Sequence, residues 1–194
     1  MAEVHPIENL NDVRRIRNKL TEWGNVREAE MFWLGCHVGF RVSDIVNLTF
    51  EQFTKAKNSI TVRESKTGKN NVIELTEVTS EVVSNLLAWY SREFPHLTPT
   101  YLFQATGNRV KNQDKPITSD YFRKKLKEVC EALGIEDNIG THTCRKTFGY
   151  HTYKQTNDIH LVQGLLNHKS HHETLAYIGI STKKKREVRR NIRF

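Results

Sequence analysis

Leu165-Leu166-Asn167-His168-Lys169-Ser170-His171-His172-Glu173-Thr174-Leu175-Ala176-Tyr177-Ile178-Gly179 is the stretch around which the rest of the chain is read. The pattern predicts a helix ending at His168, a tight turn, and a second short helix. Ser170 and Glu173 have capping-box spacing, so the second helix should begin just after Ser170. Gly179 is placed to stop it. Tyr177 then stands near the C-terminal end of a short, interruptible helix. Such a tyrosine is either a core aromatic with its hydroxyl at the rim or a nucleophile, and its neighbours must decide.

Upstream, Val13, Ile16 and Leu20 follow Leu10 at helical spacing within 8–23, and Arg27 to His37 reads as a more buried helix broken by Gly39. Ser43 is the expected cap of a third short helix carrying Ile45, Val46 and Leu48. Ile60-Thr61-Val62 and Val72-Ile73-Glu74-Leu75 read as paired strands, joined by the polar turn Glu64-Ser65-Lys66-Thr67-Gly68-Lys69-Asn70. Helices are expected over 77–94 and 118–133, with a loop over 95–115 in which Tyr101-Leu102-Phe103 is buried. A helix starting near Thr141 and another capped by Asn157 or Asp158 complete the body. The fold class is mainly α with a small antiparallel β-sheet (α+β). One domain is expected over 1–180, followed by a basic C-terminal tail over 181–194.

The chain has 194 residues and a net charge of +8, which points to a polyanionic partner, nucleic acid first. No apolar run reaches membrane-spanning length and no leader is evident, so no membrane partner is expected. Cys36, Cys130 and Cys144 are far apart and odd in number, as in a cytoplasmic protein with reduced core thiols. His168 and His172 have the i, i+4 spacing of helical zinc ligands, and His160 and His171 lie close in sequence. The turn at Ser170 separates them and no carboxylate or cysteine completes a set, so no metal is expected.

A tyrosine hydroxyl, with an ordinary pKa of about 10, is a poor nucleophile at neutral pH. Using it on a phosphodiester requires charge neutralisation of the transition state and a proton for the leaving oxygen. Arginine forks suit the first task, and a lysine or histidine the second. The chain offers Arg41 just after Gly39, Arg145 three residues beyond His142, Lys66 at the hairpin tip, and His168 ahead of the tyrosine turn. Each alone is most cheaply explained as a surface or solubility residue; the ordered set is not.

The segments Gly39-Phe40-Arg41-Val42-Ser43-Asp44, Ser65-Lys66-Thr67-Gly68, His142-Thr143-Cys144-Arg145, Leu166-Asn167-His168 and Tyr177 resemble the tyrosine recombinases of the phage-integrase family, in that family's order. The resemblance covers about 28–179 and implies the catalytic-domain fold of that family and site-specific recombination of double-stranded DNA, as integration, excision or inversion. It implies that Arg41 and Arg145 clamp the scissile phosphate, that Lys66 protonates the leaving 5′ oxygen, and that His142 and His168 handle protons and bind the phosphate. Tyr177 attacks to give a 3′-phosphotyrosyl bond, Asp44 supports the site, and neither metal nor cofactor is required. Tetramers on DNA, with monomers or weak association in solution, and a bacterial or phage origin are also implied. Lys69, Arg123, Lys124 and Lys127 are candidates for DNA-backbone contact.

Cys144 stands where the family has leucine, and Asp44 is shorter than the usual glutamate. No separate N-terminal DNA-clamping domain is expected, since only about 25 residues precede the second helix. The rival readings are a type IB topoisomerase or telomere-resolving enzyme, and a non-enzymatic DNA-binding regulator derived from a recombinase.

Overall fold

The computed structural model describes residues 4–107, 114–135, 138–179 and 189–191. Most of the expected tail, 181–194, lies outside them. Helix α1 (Leu10–Glu22) turns its Val13, Ile16 and Leu20 stripe inward and is capped by Asn9. Leu10, expected on that stripe, is 54% exposed and lines an open groove with Trp33, Phe148 and His151. Helix α2 (Val26–Val38) is the central rod. Its buried residues lie all round it, as expected for a helix with neighbours on several sides. The charges buried at its start are paired: Arg27 bonds Glu28 at 2.6 Å, and Glu30 takes Arg17 at 3.0 Å.

Gly39 closes α2, and α3 (Val42–Ile45) follows at once with Arg41 in the N-cap position. Ser43 is therefore inside α3 and is not its cap. Helix α4 (Phe50–Lys55) was not foreseen. It is too short to show a period, but Thr49 and Gln52 form a full capping box around its start.

Strands β1 (Ser59–Arg63) and β2 (Asn70–Glu74) pair antiparallel as expected, with Ile60 opposite Ile73 and Val62 opposite Asn71. A lone two-stranded hairpin is marginal in water. This one is anchored because Ile60, Val62 and Ile73 enter the main core. Helix α5 (Glu77–Glu93) carries another complete capping box, Thr76 with Thr79. The 95–107 segment buries Leu102 and Phe103 fully. Helix α6 (Ser119–Ala132) packs on α1 and α2, as α5 and α7 (Thr143–Thr156) pack on α2.

Asn157 ends α7 in the left-handed conformation, while the Asp158 side chain caps α8 (Ile159–Leu165). Helix α8 stops short of His168. Asn167 takes φ +49°, and the amides of Asn167 and His168 bond back to Gly164 and Gln163 in a Schellman turn. Helix α9 (His171–Tyr177) is capped by Ser170, which accepts from the Glu173 amide. The Glu173 carboxylate reaches the Lys169 amide (3.0 Å) instead of closing the box on Ser170.

Among the described residues the apolar interior falls into two clusters. The large one surrounds α2. The small one, Val162, Leu166 and Ile178 with Phe148, Tyr153 and Tyr177 at its edge, seats α9. Gly149 permits this contact: a Cβ there would stand 2.8 Å from an Ile178 methyl and 3.0 Å from one on Leu166. Cys130 and Cys144 are buried and Cys36 is half-buried.

Candidate active site

The site is assembled at the ends of helices. Gly39 has φ +68°, and a Cβ on it would lie 2.2 Å from the Phe148 ring, so only glycine lets α2 end against α7 here. That ending exposes the Gly39 carbonyl, which accepts from Arg145 Nη1 at 2.9 Å. Arg145 Nη2 bonds the Leu166 carbonyl, which caps α8. Two carbonyls at helix C-termini carry partial negative charge, so they hold a cation well. Arg145 is 1% exposed.

Arg41 donates from Nη1 to Glu64 Oε2 at 2.6 Å. Glu64 was not foreseen as part of the site. It reads in sequence as one more polar turn residue, yet its side chain is fully buried and its Oε1 lies 3.8 Å from Arg145 Nη1. Burial opposes ionisation of Glu64. Bonds from Thr67 and Arg41, with the Arg41 charge, outweigh it and hold the carboxyl below the usual range.

Lys66 is exposed at the hairpin tip. The turn is closed by the Glu64 amide on Lys69 O and the Gly68 amide on Glu64 O, both 2.8 Å. Asp44 fixes it from α3, its Oδ1 accepting from Ser65 N at 2.8 Å and Ser65 Oγ at 2.7 Å. The other Asp44 oxygen is buried with no hydrogen bond among the described residues.

His142 is the N-cap residue of α7. Its Nδ1 lies 2.9 Å from the Tyr177 hydroxyl. Burial, then the charges of Arg145, Arg41, Lys66 and Lys146, keep its pKa below the ordinary histidine value. His168, 9% exposed, pairs Nδ1 with Thr174 Oγ1 at 3.2 Å, and its ring meets the Tyr177 ring edge-on at 4.8 Å. Burial, then Arg145, take its pKa down to about 4. Lys146, also unforeseen, sets its Nζ 4.9 Å from the Tyr177 ring centroid. Burial pushes the Tyr177 phenol up to about 12, against the pull of Arg145 and Arg41.

Arg41, His142, Arg145, His168 and Tyr177 thus converge, with Lys66 at the rim and Asp44 behind its hairpin. Arg123, Lys124 and Lys127 lie on α6, where Asp120 pairs with the first two at 2.6 and 3.3 Å and Glu131 with the third at 3.5 Å. Such surface pairs are worth little and exchange readily for phosphate. His160 and His171 meet edge to face, centroids 4.0 Å apart. Two guanidinium groups beside a protonated phenol, with neutral imidazoles around it, can grip a phosphoryl group and present an oxygen nucleophile with a proton acceptor at hand.

Comparison with known proteins agrees with this geometry. The chain is 34% identical to the probable integrase/recombinase YoeC of Bacillus subtilis, over 93% of this chain and 92% of that one. It is 31% identical to tyrosine recombinase XerA of Pyrococcus furiosus, over 84% of this chain but 54% of that one. The chain spans about half the length of its Xer relatives. In fold it is similar to the XerH recombinase bound to palindromic difH substrate (TM-score 0.70, 18% identity, 96% of this chain and 53% of that one). It is likewise similar to the catalytic domain of bacteriophage HP1 integrase (TM-score 0.60, 18% identity, 97% and 95%). No helix among the described residues is long and apolar enough to cross a membrane. The phage integrase family model matches residues 9–184, and on that match, with YoeC related along nearly its whole length, the chain belongs to the phage integrase family, the tyrosine recombinases.

Proposed function

We propose that residues 1–180 form the strand-cleaving and rejoining unit of a site-specific DNA recombinase, with 181–194 as a basic tail. The observation that carries this reading is the Tyr177 hydroxyl bonded to His142 Nδ1 at 2.9 Å, beside an Arg145 already fixed by two helix-end carbonyls. In the reaction, Tyr177 Oη attacks the phosphorus and its proton passes to His142. Arg41 and Arg145 bind the non-bridging oxygens. The bond to the 5′ oxygen breaks, and Lys66 protonates that oxygen as it leaves. The product is a 3′-phosphotyrosine and a free 5′ hydroxyl. A partner strand's 5′ hydroxyl reverses the step, so neither water nor an energy source is consumed.

Neutralisation by two guanidinium groups supplies what a metal would otherwise provide. His168 adds a hydrogen bond to the phosphate. Lys69, Arg123, Lys124 and Lys127 contribute backbone contacts that tighten binding without choosing sequence. The protein assembles as a tetramer on double-stranded DNA and associates weakly without it.

The test starts by selecting bound duplexes from a random pool. The selected site is then synthesised with a nick that lets the cleaved fragment diffuse away. A denaturation-resistant protein–DNA adduct should form with the wild type and not with Tyr177→Phe. Tight binding without an adduct would instead support a regulator, and an adduct that survives Tyr177→Phe would move the nucleophile elsewhere.

A further inference from the structure

Glu64 is a carboxylate buried among groups that should be working on DNA. Burying an ion costs several kcal/mol unless its partners are well placed. Here they come from five parts of the fold. Arg41 Nη1 reaches it from the start of α3 and Thr67 Oγ1 from the hairpin turn, both at 2.6 Å. Asn71 Nδ2 of β2 lies at 3.4 Å and Asn167 Nδ2 of the α8–α9 turn at 3.3 Å. Arg145 Nη1 of α7 stands 3.8 Å away.

Two arginines brought together to grip one phosphate repel each other while the phosphate is absent. A carboxylate between them offsets that repulsion and fixes both forks. Its bond to Arg41 uses one of five guanidinium donors and is that side chain's one hydrogen bond among the described residues, so the rest can meet a phosphate. The bond from Asn167 matters for a second reason. Asn167 has φ +49°, a position asparagine tolerates better than most residues, and it also donates to Asn70 O at 3.3 Å. The turn that delivers His168 is thereby tied to the hairpin that delivers Lys66.

We propose that Glu64 is a positioning residue for strand cleavage, holding Arg41 and Arg145 in gripping geometry and joining the Lys66 hairpin to the His168 turn before DNA arrives. It acts through the arginines and does not touch the scissile phosphate. The inference rests on the function proposed above. A carboxylate that merely stabilised the hairpin would leave the rate of chemistry unchanged once the protein is folded and bound.

The experiment is a double-mutant cycle read by single-turnover adduct formation on the selected nicked duplex. Glu64→Gln should slow the adduct roughly 10- to 100-fold at saturating protein, while DNA affinity stays within about threefold. In an Arg41→Ala background the same substitution should cost at least about threefold less than in the wild type, because one of the two forks it holds is gone. A full, multiplicative loss in that background overturns the proposal, as does an unchanged rate for Glu64→Gln alone. If Glu64→Gln does not melt cooperatively, Glu64→Asp, which keeps the charge but shortens the reach, takes its place in the cycle with the same two outcomes. A wild type that forms no adduct defeats the recombinase reading itself, and the role of Glu64 falls with it. A wild-type adduct with indifferent Glu64 variants defeats only the latter.

Discussion

The Tyr177 hydroxyl and His142 Nδ1 are 2.9 Å apart, although 35 residues separate them in sequence. The phenol is held at about 12 and the imidazole below its ordinary value, so both are neutral at pH 7 and the imidazole can accept the phenol proton. Protonating the imidazole abolishes that capacity. Single-turnover adduct formation should therefore be flat from about pH 7 to 9, the range above an ordinary histidine and below a tyrosine. It should fall only on the acid side of 6.5, the value from which His142 is shifted down. His142→Ala should cost roughly 10²- to 10⁴-fold in that rate, the usual span for a lost general base. A tenfold rise per pH unit through pH 9 would make phenolate the attacking species and exclude this role for His142.

Gly39→Ala should damage the fold and the site together. The left-handed backbone alone costs about 1 kcal/mol or more, and the new Cβ would stand 2.2 Å from the Phe148 ring. Gly24 is a control with similar φ, +74°, and nothing within 4 Å of its added Cβ. Gly24→Ala should lower Tm by about 2–4 °C and leave the adduct rate intact. Gly39→Ala should lower Tm at least about twofold further and abolish the adduct, because the Gly39 carbonyl holds Arg145. Equal Tm shifts would show that Phe148 yields without cost.

The site was legible in sequence to the extent that it lies at helix ends. Capping chemistry is local: Ser170, Gly179 and the Asn157–Asp158 pair all punctuate the chain as expected. Strand β1 alternates polar and apolar residues, Ser-Ile-Thr-Val-Arg, and it pairs with β2 in the expected place. Glu64 escaped because its burial depends on three segments distant in sequence closing over a turn that looks solvated. Lys146 escaped for the same reason, since its neighbour Tyr177 arrives through α9. A cap signal such as Ser43 says only that a helix starts nearby, and with Arg41 as the N-cap the helix starts two residues earlier than a Ser43 cap would place it.

Asp44→Ala removes the acceptor for two Ser65 donors. The Ser65 amide loses its partner, at a net cost of about 0.5–1.5 kcal/mol for an exposed donor, and the hairpin tip loses its hold on Lys66. Adduct formation should slow, with the loss confined to protonation of the leaving group. A duplex whose scissile phosphate carries a 5′ sulfur in place of the bridging oxygen tests this, because a thiolate departs without a proton. On that substrate Asp44→Ala should recover to within about threefold of the wild type. Failure to recover would mean that Asp44 serves the arginines and not Lys66.

Helix α9 carries Tyr177 on the small cluster of Val162, Leu166 and Ile178, separate from the main core around α2. Burying one such side chain is worth about 1.5–3 kcal/mol, so the loss of one of the three takes a large share of the seat. Ile178→Ala removes its centre, and an isoleucine-to-alanine change at a buried site costs about 2–5 kcal/mol. Helix α9 should then detach while α2 stays folded, taking Tyr177 away from His142 without unfolding the protein. Hydrogen exchange separates the alternatives. Amides of α9, including Thr174 bonded to Ser170 O at 3.1 Å, should exchange at least about 10-fold faster in the variant, as expected when local opening costs less than global unfolding. Exchange in α2 should be unchanged. Adduct formation should fall in proportion to the detached fraction and recover when DNA is in excess, because binding the phosphate favours the docked tyrosine. Equal acceleration in α2 would show that the two clusters form one cooperative unit and that Tyr177 cannot be withdrawn independently.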